Sequence, residues 1–391
     1  MLSNIDSLIF GIQGCLQRCY ENKKHISEDA GEKQEEQTGR MNNSKQRYYY
    51  IDIIKATAII MVLFNHRYMY QGITTADNIG FLYFIKLFLA FACKMGAALF
   101  LMASGVLLIN GKDATFFKEK DLKRILRILI VMILFSCVLS YKDFCISNIW
   151  GNLKNGLNWY LYAYLAFLLM LPFFRKTINY LSNHEMIYFI VAVFILFYAE
   201  GIFRVNGIEN PFWSLYKVLP LMWGNGSHGS WHIIYPLIGA FTEKLFNEKS
   251  IRRHLWIVAI IGSIASTGTS MYFCTVDLMR NGGENCELLR QDYIVMPCIL
   301  FYLVAREYST RIKNGTMMRI VTIISQGAFG VFLLETCSDL QKLWLPAVKE
   351  FLGKMNLSQY VSGLIQLMIA LVIYLLVTYL LKCIPGIKKI L

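Results

Sequence analysis

The stretch RYYYIDIIKATAIIMVLFNH, Arg47–His66, decides how the chain is read. After its three tyrosines it is apolar for nearly a bilayer span, broken by Asp52 and Lys55 and closed by Asn65 and His66. Lys55 and His66 are eleven positions apart. At 3.6 residues per turn and 1.5 Å per residue that is close to three turns, so the two side chains share a face and stand roughly 16 Å apart along the axis. Ionisable groups inside a membrane helix are costly and usually mark a site or a path. The structural alternative has Lys55 pairing with Asp52 one turn back and snorkelling, with His66 merely interfacial.

The remainder of the chain is of the same kind. Hydrophobic residues make up 56% and charged residues 17%, and the mean hydropathy is +0.44. Those values suit a polytopic membrane protein and leave no room for a large soluble domain beside the apolar segments. Ten candidate spans follow from Tyr49 onward: 49–67, 81–109, 122–141, 157–175, 185–202, 230–246, 254–275, 292–307, 319–341 and 360–382. Most are near the ~20 residues that a bilayer requires. The second is long enough to include an interfacial piece before Lys94. The expected fold class is therefore all-α and polytopic, with about ten transmembrane helices. Lysine and arginine concentrate in the connections after the even-numbered spans and in the C-terminal tail, which places both termini in the cytoplasm. The net charge of +13 follows that distribution and does not indicate nucleic-acid binding.

Residues 1–46 are expected to be a disordered cytoplasmic extension, residues 21–46 being rich in Glu, Lys, Gln and Asn. Ile5, Leu8, Ile9, Ile12 and Leu16 recur there at the spacing of a short amphipathic helix. Residues 47–391 form the integral membrane domain. The ten cysteines show no metal-ligand spacing.

Several residues stand out as chemistry. The third span is entered through FFKEKDLKRILRILI, Phe116–Ile130, with Arg124 and Arg127 one turn apart and Lys123 beside them. Arginine forks match phosphate oxygens; the alternative is anchoring to anionic lipid. Lys94 lies well inside an apolar length and should face a cavity or a partner. Ser104–Gly105 offers a small face for close helix packing. Trp159, Tyr160 and Tyr162, at the outer end of the fourth span, form either an aromatic belt or a platform for a sugar. Glu335, in SQGAFGVFLLETCSD, needs a partner or handles protons, and the structural alternative is an ion pair with a lysine or arginine of another helix. The segment 203–230 reads as a folded outer cap, and His228 and His232 lack a third ligand for zinc. There is no glycine-rich phosphate loop, HExxH or GxSxG.

Taken together, residues 48–385 resemble the integral membrane acyltransferase family 3, the polysaccharide O-acyltransferases. The likeness rests on a basic residue followed eleven positions later by histidine, Lys55 and His66, and on Arg-x-x-Arg, Arg124 and Arg127. It rests also on LFLMASGVLL, NWYLYAYLAFLLMLPFFRK and GAFGVFLLE, which are similar to the family's "LFFMISGYLL", "WYLYALIALYLLLPLLRK" and "FGIYLIH" runs. The WYL-containing span is similar to the branch that includes the enterobacterial common antigen O-acetyltransferase. Two departures stand out: Lys55 replaces the more usual arginine, keeping the charge but losing the bidentate fork, and Glu335 stands where many relatives have histidine.

The resemblance implies that His66 is catalytic and that Lys55, Arg124 and Arg127 hold an acyl-CoA donor, most often acetyl-CoA. It implies a glycan or lipid-linked sugar as acceptor, with Trp159, Tyr160, Glu335 and Lys94 as candidate substrate contacts. No metal and no nucleic acid are implied, and the lipid of a plasma membrane is the surrounding partner. The richness in lysine, isoleucine and asparagine points to a bacterium with an AT-rich genome. The competing class is a membrane transporter or exporter of a glycan precursor or small metabolite. It takes Lys55, Lys94 and Glu335 as a charged path, but clear internal repeats are absent.

Overall fold

The computed structural model describes residues 48–66, 79–109, 118–154, 159–205, 233–282, 294–312, 315–355 and 357–388. The extension expected over 1–46 lies outside them, as do residues 206–230 of the expected cap, with His228, and His232 beyond it. The helices, in chain order, are α1 (Tyr49–His66), α2 (Phe81–Lys94), α3 (Gly96–Ile109), α4 (Glu119–Leu139), α5 (Ile146–Lys154), α6 (Trp159–Tyr180) and α7 (Asn183–Val205). They continue with α8 (Tyr235–Asn247), α9 (Lys249–Asn281), α10 (Val295–Tyr308), α11 (Gly315–Glu335), α12 (Ser338–Lys354), α13 (Gln359–Lys382) and the single turn α14 (Pro385–Lys388). Each expected span is occupied by helix, and the described residues contain no strand. Among the described residues, five helical stretches are long and apolar enough to cross a membrane by length and composition: Phe81–Ile109, Trp159–Tyr180, Lys249–Arg280, Gly315–Glu335 and Tyr360–Lys382.

The centre of the bundle is α1, which packs against α2, α3, α10, α11 and α13. Helix α3 is apolar around almost its whole circumference, the pattern of a helix enclosed by others, and most of its side chains are buried. Peripheral helices instead turn apolar stripes outward. On α13, Leu364, Met368, Val372, Leu376 and Leu380 are exposed at four-residue spacing. A soluble protein rarely shows such a stripe; on a membrane protein it is the face turned to lipid.

The ends of two spans are set by local backbone contacts. The long second one, expected to include an interfacial piece before Lys94, is divided at Met95, whose N–H lies within reach of Ala92 O and Cys93 O. The ninth, expected to run to residue 341, stops at Glu335. There the Cys337 N–H bonds to Leu334 O, the Thr336 hydroxyl to Leu333 O, and the Gln341 amide of α12 to Glu335 O. These bonds satisfy carbonyls that the helix would otherwise leave orphaned.

The small face at Ser104–Gly105 is a packing device. A Cβ on Gly105 would stand 1.9 Å from Pro236 O, and one on Gly239 would stand 2.4 Å from Met102 O, so α3 and α8 touch backbone to backbone. Small residues permit such approaches in membranes, where van der Waals packing is a main source of association. Gly105→Ala should therefore destabilise the bundle by about 1–3 kcal/mol, seen as a lower apparent Tm in detergent. Gly268→Ala, with nothing within 4 Å, is the control.

Candidate active site

Two contacts set α1 beside α11 and give their relative direction. Near the start of α1, Asp52 Oδ1 accepts from the Ser325 hydroxyl at 2.7 Å. At its end, His66 Nδ1 lies 3.9 Å from Glu335 Oε1. Both helices advance from the first contact to the second, so they run parallel. Asp52 thus meets a neighbouring helix.

Lys55 lines a cavity of about 220 Å³ together with Arg124 and Arg127 of α4. Three helices complete the wall, each with side chains about one turn apart on one face. Ser104 and Phe100 come from α3, and Tyr160 and Tyr164 from α6. Ser325, Ala328, Phe329 and Phe332 come from α11. The cavity is charged where α1 and α4 are near their starts and aromatic further along. Its aromatic end packs tightly: Tyr160 and Phe332 rings are 4.8 Å apart, and Phe100 and Tyr160 rings 6.3 Å. Phe332 is one turn before Glu335 on α11, about 4.5 Å along the axis. The aromatic end therefore points toward the His66–Glu335 pair.

That pair is asymmetric in burial. Glu335 is 1% exposed and His66 38%. The carboxylate is enclosed while the imidazole reaches the surface of the bundle. At 3.9 Å the contact is electrostatic rather than a formed hydrogen bond; such contacts often tighten only when substrate is bound. The turn carrying His66 is pinned by Asn65, whose Nδ2 donates to Cys93 O at 2.7 Å.

Beneath the charged end lies a buried ion cluster. Asp121 is fully buried and Arg175 is 5% exposed. The Arg175 fork bonds both Asp121 oxygens, with Nη2 3.0 Å from Oδ1, and its Nε donates to Leu108 O at 2.9 Å. Asp121 also accepts from Arg124 Nη1 at 2.8 Å and from the Lys118 N–H at 3.2 Å. Asp121 thereby fixes Arg124 at the cavity. Lys123 does not join them; it turns outward onto Glu119.

The structure thus brings Lys55, Arg124, Arg127 and Tyr160 to one cavity, and His66 and Glu335 to one pair. Trp159 is partly buried, with its ring 6.1 Å from that of Tyr160. Lys94 does not line the cavity; it ends α2, next to Cys93 and the Asn65 bond. Asp121, Arg175 and Tyr164 were not singled out by sequence, and Ser104 was singled out only for helix packing. A carboxylate one turn before Arg124 was the available signal for Asp121; Arg175 looked like an ordinary cation at a span end.

Residues 48–384 match the model of acyltransferase family 3, described as an acyltransferase domain. The chain belongs to this family. It is a membrane acyltransferase. Comparisons with curated proteins and with solved structures return no match. For an acyltransferase, the useful features are a base that can take a proton and a cationic cavity beside it. On α1 this chain carries Lys55, which lines the cationic cavity, and His66 at the helix end.

Proposed function

We propose that this acyltransferase moves an acyl group, acetyl in the first instance, from cytosolic acyl-CoA to a hydroxyl of an extracytoplasmic or lipid-linked glycan, in the plasma membrane of a bacterium. The observation that carries the reading is the convergence of Lys55, Arg124 and Arg127 on one cavity whose aromatic end lies one turn from Glu335 and His66. The cations meet the donor's phosphates, and the narrow arm of the donor runs along the cavity toward His66. Trp159, Tyr160 and Lys94 are the candidates for contact with substrate near that end.

In this reading His66 removes the proton from the acceptor hydroxyl as its oxygen attacks the thioester carbonyl. The tetrahedral intermediate collapses, the carbon–sulfur bond breaks, and the ester remains on the acceptor. The departing CoA thiolate takes the proton back from the imidazolium. Glu335 orients the imidazole and favours its cationic form while it holds that proton. Direct attack requires no protein nucleophile.

The test is transfer of labelled acetyl from acetyl-CoA to a glycan acceptor by purified protein in lipid nanodiscs. Arg124→Ala removes a charge-assisted hydrogen bond of about 1.5–3 kcal/mol, so the donor KM should rise about 10–100-fold with kcat little changed. Absence of binding or turnover with acetyl-, succinyl- and longer acyl-CoA by folded wild-type protein would overturn the donor assignment.

A further inference from the structure

The cavity between Lys55 and Phe332 is too small for a whole nucleotide-bearing donor. Its roughly 220 Å³ falls below the ≈ 300–1,000 Å³ of ordinary ligand pockets. It suits a thin arm, so a nucleotide end must be held elsewhere. A second pocket adjoins it. This one measures about 430 Å³ and is lined by Lys118, Glu119, Lys120, Arg124 and Arg175, with Leu107 and Leu108 as an apolar wall.

Arg124 belongs to both pockets. Lys118 and Lys120 precede Arg124 and Arg127 on the same chain segment, and Leu107 and Leu108 end α3. The second pocket therefore lies beyond the first, on the side where α4 begins. By the charge distribution of the connections, that is the cytoplasmic side. Its lining carries four cations against Glu119, with Asp121 beneath them. Asp121 and Leu108 O hold Arg175 in place, and Glu119 pairs with Lys123. Leu107 is 44% exposed on a helix otherwise almost enclosed, which leaves an apolar surface at this pocket for a flat base.

We infer that this second pocket binds the adenosine 3′-phosphate end of the donor, with Lys118 and Lys120 on the phosphate monoester and Arg124 bridging to the diphosphate. The inference rests on the acyl-CoA reading above. Order along the ligand matches order along the protein: arm in the narrow cavity, diphosphate at the shared arginine, ribose phosphate and base in the wider pocket. A lysine ammonium serves such a dianion as a point charge.

The same cations would also suit the phosphate of an anionic lipid, and the experiment separates the two sources. Transfer is measured in neutral phosphatidylcholine nanodiscs with acetyl-CoA and with its 3′-dephospho analogue. Wild type should show a KM about tenfold or more higher for the analogue, the equivalent of one ionic hydrogen bond. The double variant Lys118→Ala with Lys120→Ala should handle the two donors alike, and Lys118→Arg with Lys120→Arg should restore discrimination. Equal KM values in wild type, or undiminished discrimination in the alanine variant, overturn the inference while leaving the acyl-CoA reading intact. So does an alanine effect that appears only in phosphatidylglycerol nanodiscs and equally for both donors, which assigns the pocket to lipid. If neither donor turns over, the acyl-CoA reading falls, and the pocket is judged by binding alone. Adenosine 3′,5′-bisphosphate should then raise the Tm of wild type and not of the alanine variant; no rise in wild type overturns the pocket as well.

Discussion

His66→Ala should lower acyl transfer by about 10²–10⁴-fold, the usual worth of a positioned general base, with the donor KM little affected. The separation follows from geometry. His66 closes α1, while Lys55, Arg124 and Arg127 line the cavity toward its other end, roughly 16 Å away along the helix. The imidazole is 38% exposed, so its loss leaves no large void and should change stability little. Glu335→Gln keeps the shape of the enclosed partner but removes its charge, and should give a smaller loss in kcat than His66→Ala. Single-turnover transfer of labelled acetyl, measured beside donor binding, distinguishes the two effects. Transfer at the wild-type rate by folded His66→Ala protein would remove His66 from the chemistry.

Asp121→Ala should be the most destabilising single change at the site, by about 3–5 kcal/mol. It leaves Arg175, 5% exposed, as a buried charge without its carboxylate, and it releases Arg124 from the contact that fixes it. Both consequences are measurable. The apparent Tm should fall, and whatever protein remains folded should bind acyl-CoA more weakly. The paired replacement Asp121→Leu with Arg175→Met should recover much of the stability, because apolar groups of similar size often substitute for a buried ion pair at little cost. It should not recover donor affinity, since Arg124 would still lack its anchor. Full recovery of both would mean that Asp121 supports the fold and does not position Arg124.

Much of this was legible locally. Helix periodicity and apolar length are properties of consecutive residues, so the ten helical segments and the shared face of Lys55 and His66 follow from spacing alone. Arg124 and Arg127, one turn apart at the start of α4, are legible for the same reason. What periodicity does not carry is which faces meet. Glu335 stood in an apolar run that continued past it, where a partner or a proton-handling role was expected, with a pair to a lysine or arginine as the structural alternative. Its helix ends there, with the Gln341 amide of α12 on its carbonyl, and His66 lies 3.9 Å from its carboxylate.

The sequence by itself determined an all-helical membrane chain and the two ionisable groups of α1, because hydrophobic length and the 3.6-residue turn act within one segment. Only the tertiary structure decided that Asp121 and Arg175, 54 positions apart, hold Arg124 to the cavity, and that Asp52 meets Ser325 across 273 positions. Those pairings depend on how ridges, small residues and buried charges of separate helices fit together, a property of the packed bundle that no single helix carries.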